Sequence, residues 1–192
     1  MKILVAGDSF SAQWANCSDS WTSLLDNKYI VNNIAQPGVG EYKILKQLES
    51  VNIDNYDCVI VSHTSPSRIH IKDHPIHKSG FHKNCDLIIN DIDRFSLPGS
   101  RLDTAKKWFV HYYDDEYQFG VYKLIRKEIN NIIHIPYISM SHIDILKNIK
   151  FESVHLEFSE LWLNNRGLCN HYNAIGNKII FNTITENIKR II

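Results

Sequence analysis

Short apolar segments alternate with amphipathic segments along the first third of the chain. Residues 2–6, 29–34 and 57–62 are rich in Val and Ile and predict three strands, the third apolar enough to be buried on both faces. Between these strands, residues 20–25 and 41–50 carry apolar side chains at helical spacing. Because connected parallel strands need a crossover, usually a helix, this alternation predicts an α/β protein with a mostly parallel sheet.

Helical spacing returns in the second half, after an irregular segment at about 64–103. The further predicted elements are one broken helix or two helices at 104–113 and 114–131, a strand at 132–138, a short helix at 141–148 and an amphipathic helix at 173–191. Residues 151–170 mix aromatic and acidic side chains and predict mostly loop or short helix. Without a repeat or linker, we expect one domain over 1–192, a three-layer α/β/α sandwich with an insertion or lid at about 64–103.

Charge and composition narrow the classes of function. Lys and Arg together number 21, as do Asp and Glu, so the formal net charge is zero and a broad nucleic-acid footprint is not expected. The apolar run after Lys2 is too short for a signal peptide, and no run approaches a membrane span. We therefore expect a cytoplasmic protein with no membrane or nucleic-acid partner, whose four scattered cysteines are free thiols.

The first candidate for chemistry is the sequence Gly-Asp-Ser-Phe at 7–10, directly after the first predicted strand. The carboxyl edge of a parallel sheet is where open α/β proteins bind their ligands, so Ser9 lies where a nucleophile is expected. The alternative is a tight turn in which the serine only caps a helix. A base and an oxyanion site elsewhere in the chain would favour the nucleophile over the capping serine.

Two further motifs fall at matching places in the predicted strand order. Asn-Ile-Ala-Gln-Pro-Gly at 33–38 follows the second strand, and Asn-His-Tyr-Asn-Ala-Ile-Gly at 170–176 opens the last helix. With Gly-Asp-Ser-Phe, these motifs resemble blocks I, II and V of the SGNH (GDSL-type) hydrolases, and together they span nearly the whole chain. The resemblance implies a flavodoxin-like sandwich and chemistry on ester bonds.

The resemblance also implies individual roles. Ser9 would be the nucleophile and His171 its general base, while the backbone N–H groups of Ser9 and Gly38 would hold the developing oxyanion. Taken alone, His171 could be a surface histidine before a helix, and Gly38 could be an ordinary turn glycine. Asp8, Phe10 and Arg68 are the candidate substrate contacts.

Two positions depart from the family pattern. Where the family has an oxyanion-binding Asn after the third strand, this chain has Thr64 or Ser65, each of which can donate one hydrogen bond. Three residues before His171, the usual Asp is replaced by Leu168. The imidazole then works in a Ser-His dyad, or is oriented by a backbone carbonyl or by another acid, with Glu157 and Glu160 nearest upstream.

Half of the histidines lie in one short segment. They are His63, His70, His74, His77 and His82, with Cys85 close by. His and Cys are common zinc ligands, but no pair here has zinc-finger spacing, and Pro75 prevents a continuous helix. A lid, a metal site and a substrate contact all remain open; we expect a lid, and assign neither a metal nor another cofactor.

The preferred hypothesis is a serine esterase or acyl transferase acting on a small, for example acetyl, ester of a carbohydrate or other small molecule. The alternative is a catalytically impaired relative that binds a glycan or small ligand. A metal-dependent or nucleotide-binding α/β protein ranks third, because the turn at 7–10 lacks the Lys and glycines of a phosphate-binding loop.

Overall fold

A five-stranded parallel sheet forms the centre of the computed structural model, which describes residues 1–13, 19–143, 154–167 and 171–192. The strands are β1 (Lys2–Gly7), β2 (Ile30–Asn33), β3 (Cys58–His63), β4 (Tyr137–Ser141) and β5 (Val154–Glu157). Their order is β2-β1-β3-β4-β5, and every neighbouring pair is parallel. This is the flavodoxin-like strand order. The first connection adds β2 on one side of β1, and the later connections add β3, β4 and β5 on the other side.

Helices cover both faces of the sheet. They are α1 (Trp21–Asp26), α2 (Glu41–Glu49), α3 (Ile89–Phe95), α4 (Arg101–Tyr112), α5 (Asp115–Ile132), α6 (Ser159–Asn164) and α7 (Ala174–Ile191). Among the described residues, no helix is long and apolar enough to cross a membrane.

Alternation along the strands divides the core in two. On one face, Ile3 and Val5 pack with α1 and α7; on the other, Leu4 and Ala6 pack with α2 and α5. Successive side chains of a strand point to opposite faces, so a strand buried on both sides needs the continuous apolar run found here. The predicted α/β/α sandwich is thereby confirmed.

The sequence-based boundaries are wrong in the second half of the sheet. The fourth strand was predicted at 132–138, but α5 continues to Ile132 and β4 begins only at Tyr137. The apolar residues before Pro136 close the core against α5 instead of entering the sheet. Residues 151–170, predicted as mostly loop or short helix, contain the short helix α6 and also β5, a strand that was not predicted. Of the helix predicted at 141–148, Ser141 ends β4 and residues 144–153 lie outside the described chain.

The segment after β3 forms a small cluster of its own. An antiparallel bridge joins Ile69 to Leu87, and α3 and α4 pack together around Leu87, Ile92 and Leu102. The helix predicted from Thr104 begins three residues earlier, because Ser100 caps α4 by accepting a hydrogen bond from Asp103 N. The histidine-rich part of the segment has no helix among its described residues.

Gly7 lets β1 end in close contact with β3. Its φ is +151°, and a Cβ built there would lie 2.7 Å from both Cβ and the carbonyl oxygen of Ser62. The backbone of Gly7 also pairs with the side chain of Gln47, whose Oε1 accepts from its N–H at 2.8 Å and whose Nε2 donates to its carbonyl at 3.1 Å. Only glycine fits this junction.

Gly7→Ala is expected to destabilise the protein by about 3 kcal/mol, through backbone strain and the clash with Ser62. Urea unfolding measures the change. Gly120→Ala is the matched control, since Gly120 lies exposed within α5 with no atom within 4 Å of a built Cβ. It should stabilise by about 0.5–1 kcal/mol. Equal stability of the two variants would contradict the proposed constraint.

Candidate active site

The chain leaves β1 in a tight turn that carries Ser9. The Asp8 carbonyl accepts hydrogen bonds from Ser11 N at 3.1 Å and Ala12 N at 3.0 Å, and Asp8 Oδ1 accepts from Phe10 N at 3.0 Å. The cap of α1 is Ser20, whose Oγ accepts from Ser23 N. Ser9 therefore occupies a turn at the carboxyl edge of the sheet and is not the cap of α1.

The Asp8 carboxylate is fully buried beneath this turn. Burial raises its pKa, while the Arg68 guanidinium, 3.6 Å away, opposes the rise most strongly, followed by the Phe10 N–H, the Thr64 hydroxyl and the charge on His171. The electrostatic effect of His171 on this carboxylate requires that the imidazole lie near the turn. Of the predicted substrate contacts, Asp8 thus lies below the surface and supports the turn.

Phe10 packs against the segment that carries His171. The centroid of its ring is 5.2 Å from that of His171 and 4.4 Å from that of His142, which stacks on it nearly parallel. Phe10 was predicted to contact substrate, and the structure places its ring among these side chains. Ser9 consequently lies between two residues, Asp8 and Phe10, that both neighbour His171.

His142 is a site residue that the sequence analysis missed. Its buried ring follows β4, with Nε2 3.1 Å from Ser62 Oγ and Nδ1 2.7 Å from Tyr172 Oη. Because Tyr172 Oη donates to the Phe158 carbonyl, Nδ1–H donates to Tyr172 and Nε2 accepts from Ser62. Burial lowers the pKa of His142 to about 3, with the charges of His171 and His63 acting in the same direction.

Gly38 lies in the loop after β2, as expected, with a φ of +74°. A Cβ there would lie 2.6 Å from Cys85 Cβ, so a close approach of the chain requires this glycine. Its carbonyl accepts from Asp86 N at 2.8 Å, and no described residue accepts a hydrogen bond from its N–H. The amide is thus available to an acceptor that is not part of the described chain.

Thr64 and Ser65 follow β3, at the position of the family's oxyanion-binding Asn. Thr64 is buried, and its backbone N–H donates to Glu41 Oε2 at 3.3 Å. Ser65 Oγ lies 2.7 Å from Ser67 Oγ and accepts from Ser67 N. The Thr64 hydroxyl lies near the buried Asp8 carboxylate and has no hydrogen-bond partner among the described residues.

A second buried polar cluster lies behind Thr64, and nothing in the sequence pattern signalled it. Glu41, at the start of α2, contacts His63 Nδ1 at 2.5 Å, and Arg126 Nε lies 3.9 Å from the same carboxylate. Burial raises the pKa of Glu41 to about 7, and burial lowers the pKa of His63. Arg126 also donates to Ser139 Oγ, which connects the cluster to β4.

A cavity of about 280 Å³ is lined by Arg68 but by none of Ser9, Phe10, Gly38 and His171. Arg68 connects the cavity with the turn, because its guanidinium lies near Asp8 while the side chain lines the cavity. Arg68 is therefore more enclosed than an ordinary surface arginine. The other polar and aromatic lining residues include Glu41, Tyr42, Ser65, His70 and Tyr122.

The two acidic residues named for orienting His171 lie at the end of β5 and at the start of α6. Glu157 accepts hydrogen bonds from Ser141 Oγ at 2.5 Å and from Ser159 N at 2.8 Å, which hold it at the end of β5. Glu160 lies in the first turn of α6. Leu168, at the position of the family's acid, is outside the described residues.

Comparison of the sequence with models of known protein families found no match, and a search of curated proteins found no significant relative. A functional hypothesis therefore rests on the residues and their geometry. The signal that would have revealed His142 is the alternation Ile138-Ser139-Met140-Ser141, which extends β4 up to it. Glu41 carried no such signal, because an acid in the first turn of a helix usually faces solvent.

His142 should make stability fall with acid. The native ring stays neutral, while the unfolded ring, with a pKa near 6.5, takes up a proton, so stability present above pH 6.5 is lost between pH 6.5 and about 3. Over pH 5.5 to 4.5, where the unfolded imidazole is almost fully protonated, urea unfolding should give wild type a slope about 1.4 kcal/mol per pH unit steeper than His142→Gln. Exposed His111→Gln is the control and should keep the wild-type slope. Identical slopes for wild type and His142→Gln would contradict the burial of a neutral imidazole.

Proposed function

We propose that this protein is a serine esterase or acyl transferase of SGNH type, acting on a small acyl ester of a carbohydrate or other small molecule. The observation that carries the proposal is the approach of two distant segments at one edge of the sheet. The turn after β1 holds Ser9, and Phe10 beside it contacts the ring of His171, 5.2 Å away between centroids. The three motifs that resemble SGNH blocks support the same assignment.

In the proposed reaction, Ser9 Oγ attacks the ester carbonyl carbon and His171 takes up the hydroxyl proton. The carbonyl oxygen becomes an oxyanion that the amides of Ser9 and Gly38 stabilise. The C–O bond to the alcohol then breaks, and His171 returns the proton to the leaving oxygen. Water, or a hydroxyl of an acceptor molecule, then attacks the acyl-enzyme while His171 takes up its proton. The bond between the acyl carbon and Ser9 Oγ breaks, and His171 returns the proton to Ser9 Oγ.

The departures from the family pattern set an expectation for rate. With Thr64 and Ser65 in place of the family's Asn, the proposed oxyanion site has two backbone amides and no side-chain amide. Loss of one oxyanion donor costs roughly 10²–10³ in kcat in known enzymes. We therefore expect slow turnover of simple esters, with the acyl-enzyme formed at a measurable rate.

The cavity that Arg68 lines is the proposed place of the sugar, with the acyl group extending past Arg68 toward Ser9. Its volume of about 280 Å³ lies just below the usual range of small-molecule sites, which begins at about 300 Å³. Tyr42 and Tyr122 offer aromatic faces and hydroxyls, and Arg68 offers a cation that can bind an oxygen-rich group. These features suit a sugar ring that carries one short acyl group.

Ser9→Ala should reduce hydrolysis of p-nitrophenyl acetate by roughly 10³-fold or more, because it removes the nucleophile. His171→Gln should reduce kcat to a similar extent. The measurement is steady-state hydrolysis monitored by nitrophenolate release, with circular dichroism to check that each variant is folded.

Ser79→Ala is the matched control, since Ser79 is an exposed serine in the segment after β3, and it should retain wild-type activity. Equal activity of wild type and Ser9→Ala would contradict the proposal. Wild-type protein that binds an acylated sugar as tightly as Ser9→Ala does, with no turnover, would favour the non-catalytic alternative.

A further inference from the structure

Three metal-ligating side chains converge in the segment between β3 and α3. We propose that His74, His77 and Cys85 form a binding site for a zinc-type divalent metal ion. Each offers one ligand atom, and these three atoms all lie within 4.8 Å of one another. Ligands bound tetrahedrally to zinc at about 2.0–2.3 Å lie about 3.3–3.6 Å apart, so small side-chain movements close the site.

Asp91, at the start of α3, supplies the fourth ligand of the proposed site. Its Oδ2 lies 3.3 Å from His77 Nε2 and 3.7 Å from His74 Nε2, close to the separations between ligands in a tetrahedral zinc site. Two imidazoles, a thiolate and a carboxylate suit zinc, whereas calcium and magnesium prefer oxygen ligands alone. Two anionic ligands also neutralise the charge of a divalent ion.

The His74 ring is buried, and its Nε2 atom is directed toward the other proposed ligands. Its Nδ1 atom accepts hydrogen bonds from Ile76 N and His77 N, both at 3.2 Å. Nε2 faces Asp91, and it has no hydrogen-bond partner among the described residues. A buried polar atom without a hydrogen-bond partner is uncommon and calls for a ligand.

Metal binding at Nε2 requires His74 to lose its two hydrogen bonds at Nδ1. The ring proton moves to Nδ1, so the two amide contacts of His74, already at the long end of the hydrogen-bond range, are given up. In return the metal gains bonds to two imidazoles and to the Cys85 thiolate, whose proton passes to solvent. Coordination of this kind outweighs two weak hydrogen bonds.

Bound metal would fasten the segment to the loop that carries Gly38. Cys85 packs directly against Gly38, and the following Asp86 donates its N–H to the Gly38 carbonyl at 2.8 Å. Asp86 Oδ2 also accepts from Gly40 N at 2.6 Å, and Oδ1 pairs with Lys43 at 2.8 Å. The proposed ion is structural, because it joins a loop without helix or strand to this anchored point.

The test is cobalt titration of full-length, metal-stripped protein that carries no histidine tag. Wild type should bind one equivalent of Co²⁺, with visible d–d bands and a near-ultraviolet thiolate-to-cobalt charge-transfer band, and one equivalent of Zn²⁺ should abolish both. Cys85→Ser should lose the charge-transfer band, and His77→Gln should weaken Co²⁺ binding at least about 10-fold. Asp91→Asn should weaken it while the charge-transfer band remains.

His111→Gln, an exposed histidine on α4, is the matched control and should bind as wild type does. Zn²⁺ should raise the melting temperature of wild type and of this control, and leave that of His77→Gln unchanged. Because His77 is partly exposed, its substitution should leave the protein folded even if Cys85→Ser does not fold. Absence of the charge-transfer band in wild type, or wild-type binding by His77→Gln, would overturn the proposal.

Discussion

The buried imidazole of His142 is the interaction on which the candidate site depends. It connects Ser62 at the end of β3 with Tyr172, the residue after His171, and stacks on Phe10, the residue after Ser9. Three regions far apart in sequence thus converge on one neutral ring. Burial keeps the ring uncharged at neutral pH, so it can accept from Ser62 and donate to Tyr172 at the same time.

Three further residues around this ring hold the candidate site together, and each is required by its local geometry. Gly7 allows β1 to end against Ser62, and buried Asp8 closes the turn that carries Ser9. Gly38 allows the segment after β3 to approach through Cys85. Arg68 connects the turn with the cavity, and Cys85 connects the histidine cluster with the loop that contains Gly38. A metal bound at the cluster would therefore stabilise this loop.

The layered fold and the places of Ser9, Gly38 and the last helix could be predicted because each rests on local signals. Strands buried on both faces are continuous apolar runs, and Asn173 caps α7 through its own side chain. The start of β4 and the existence of β5 could not be predicted from the sequence, because the partners of those strands are set by packing at the sheet edge. His74 and His77 meet through loop geometry around Pro75, which no helical or zinc-finger spacing signals.

The central claim is that Ser9 is an activated nucleophile. The most direct measurement is reaction with a fluorophosphonate probe, followed by tandem mass spectrometry to locate the modified residue and by kinetics of labelling in His171→Gln. The proposed mechanism predicts a single adduct on Ser9 that forms much more slowly in the variant. No adduct on Ser9, or labelling of Ser9 at the same rate without His171, would contradict it.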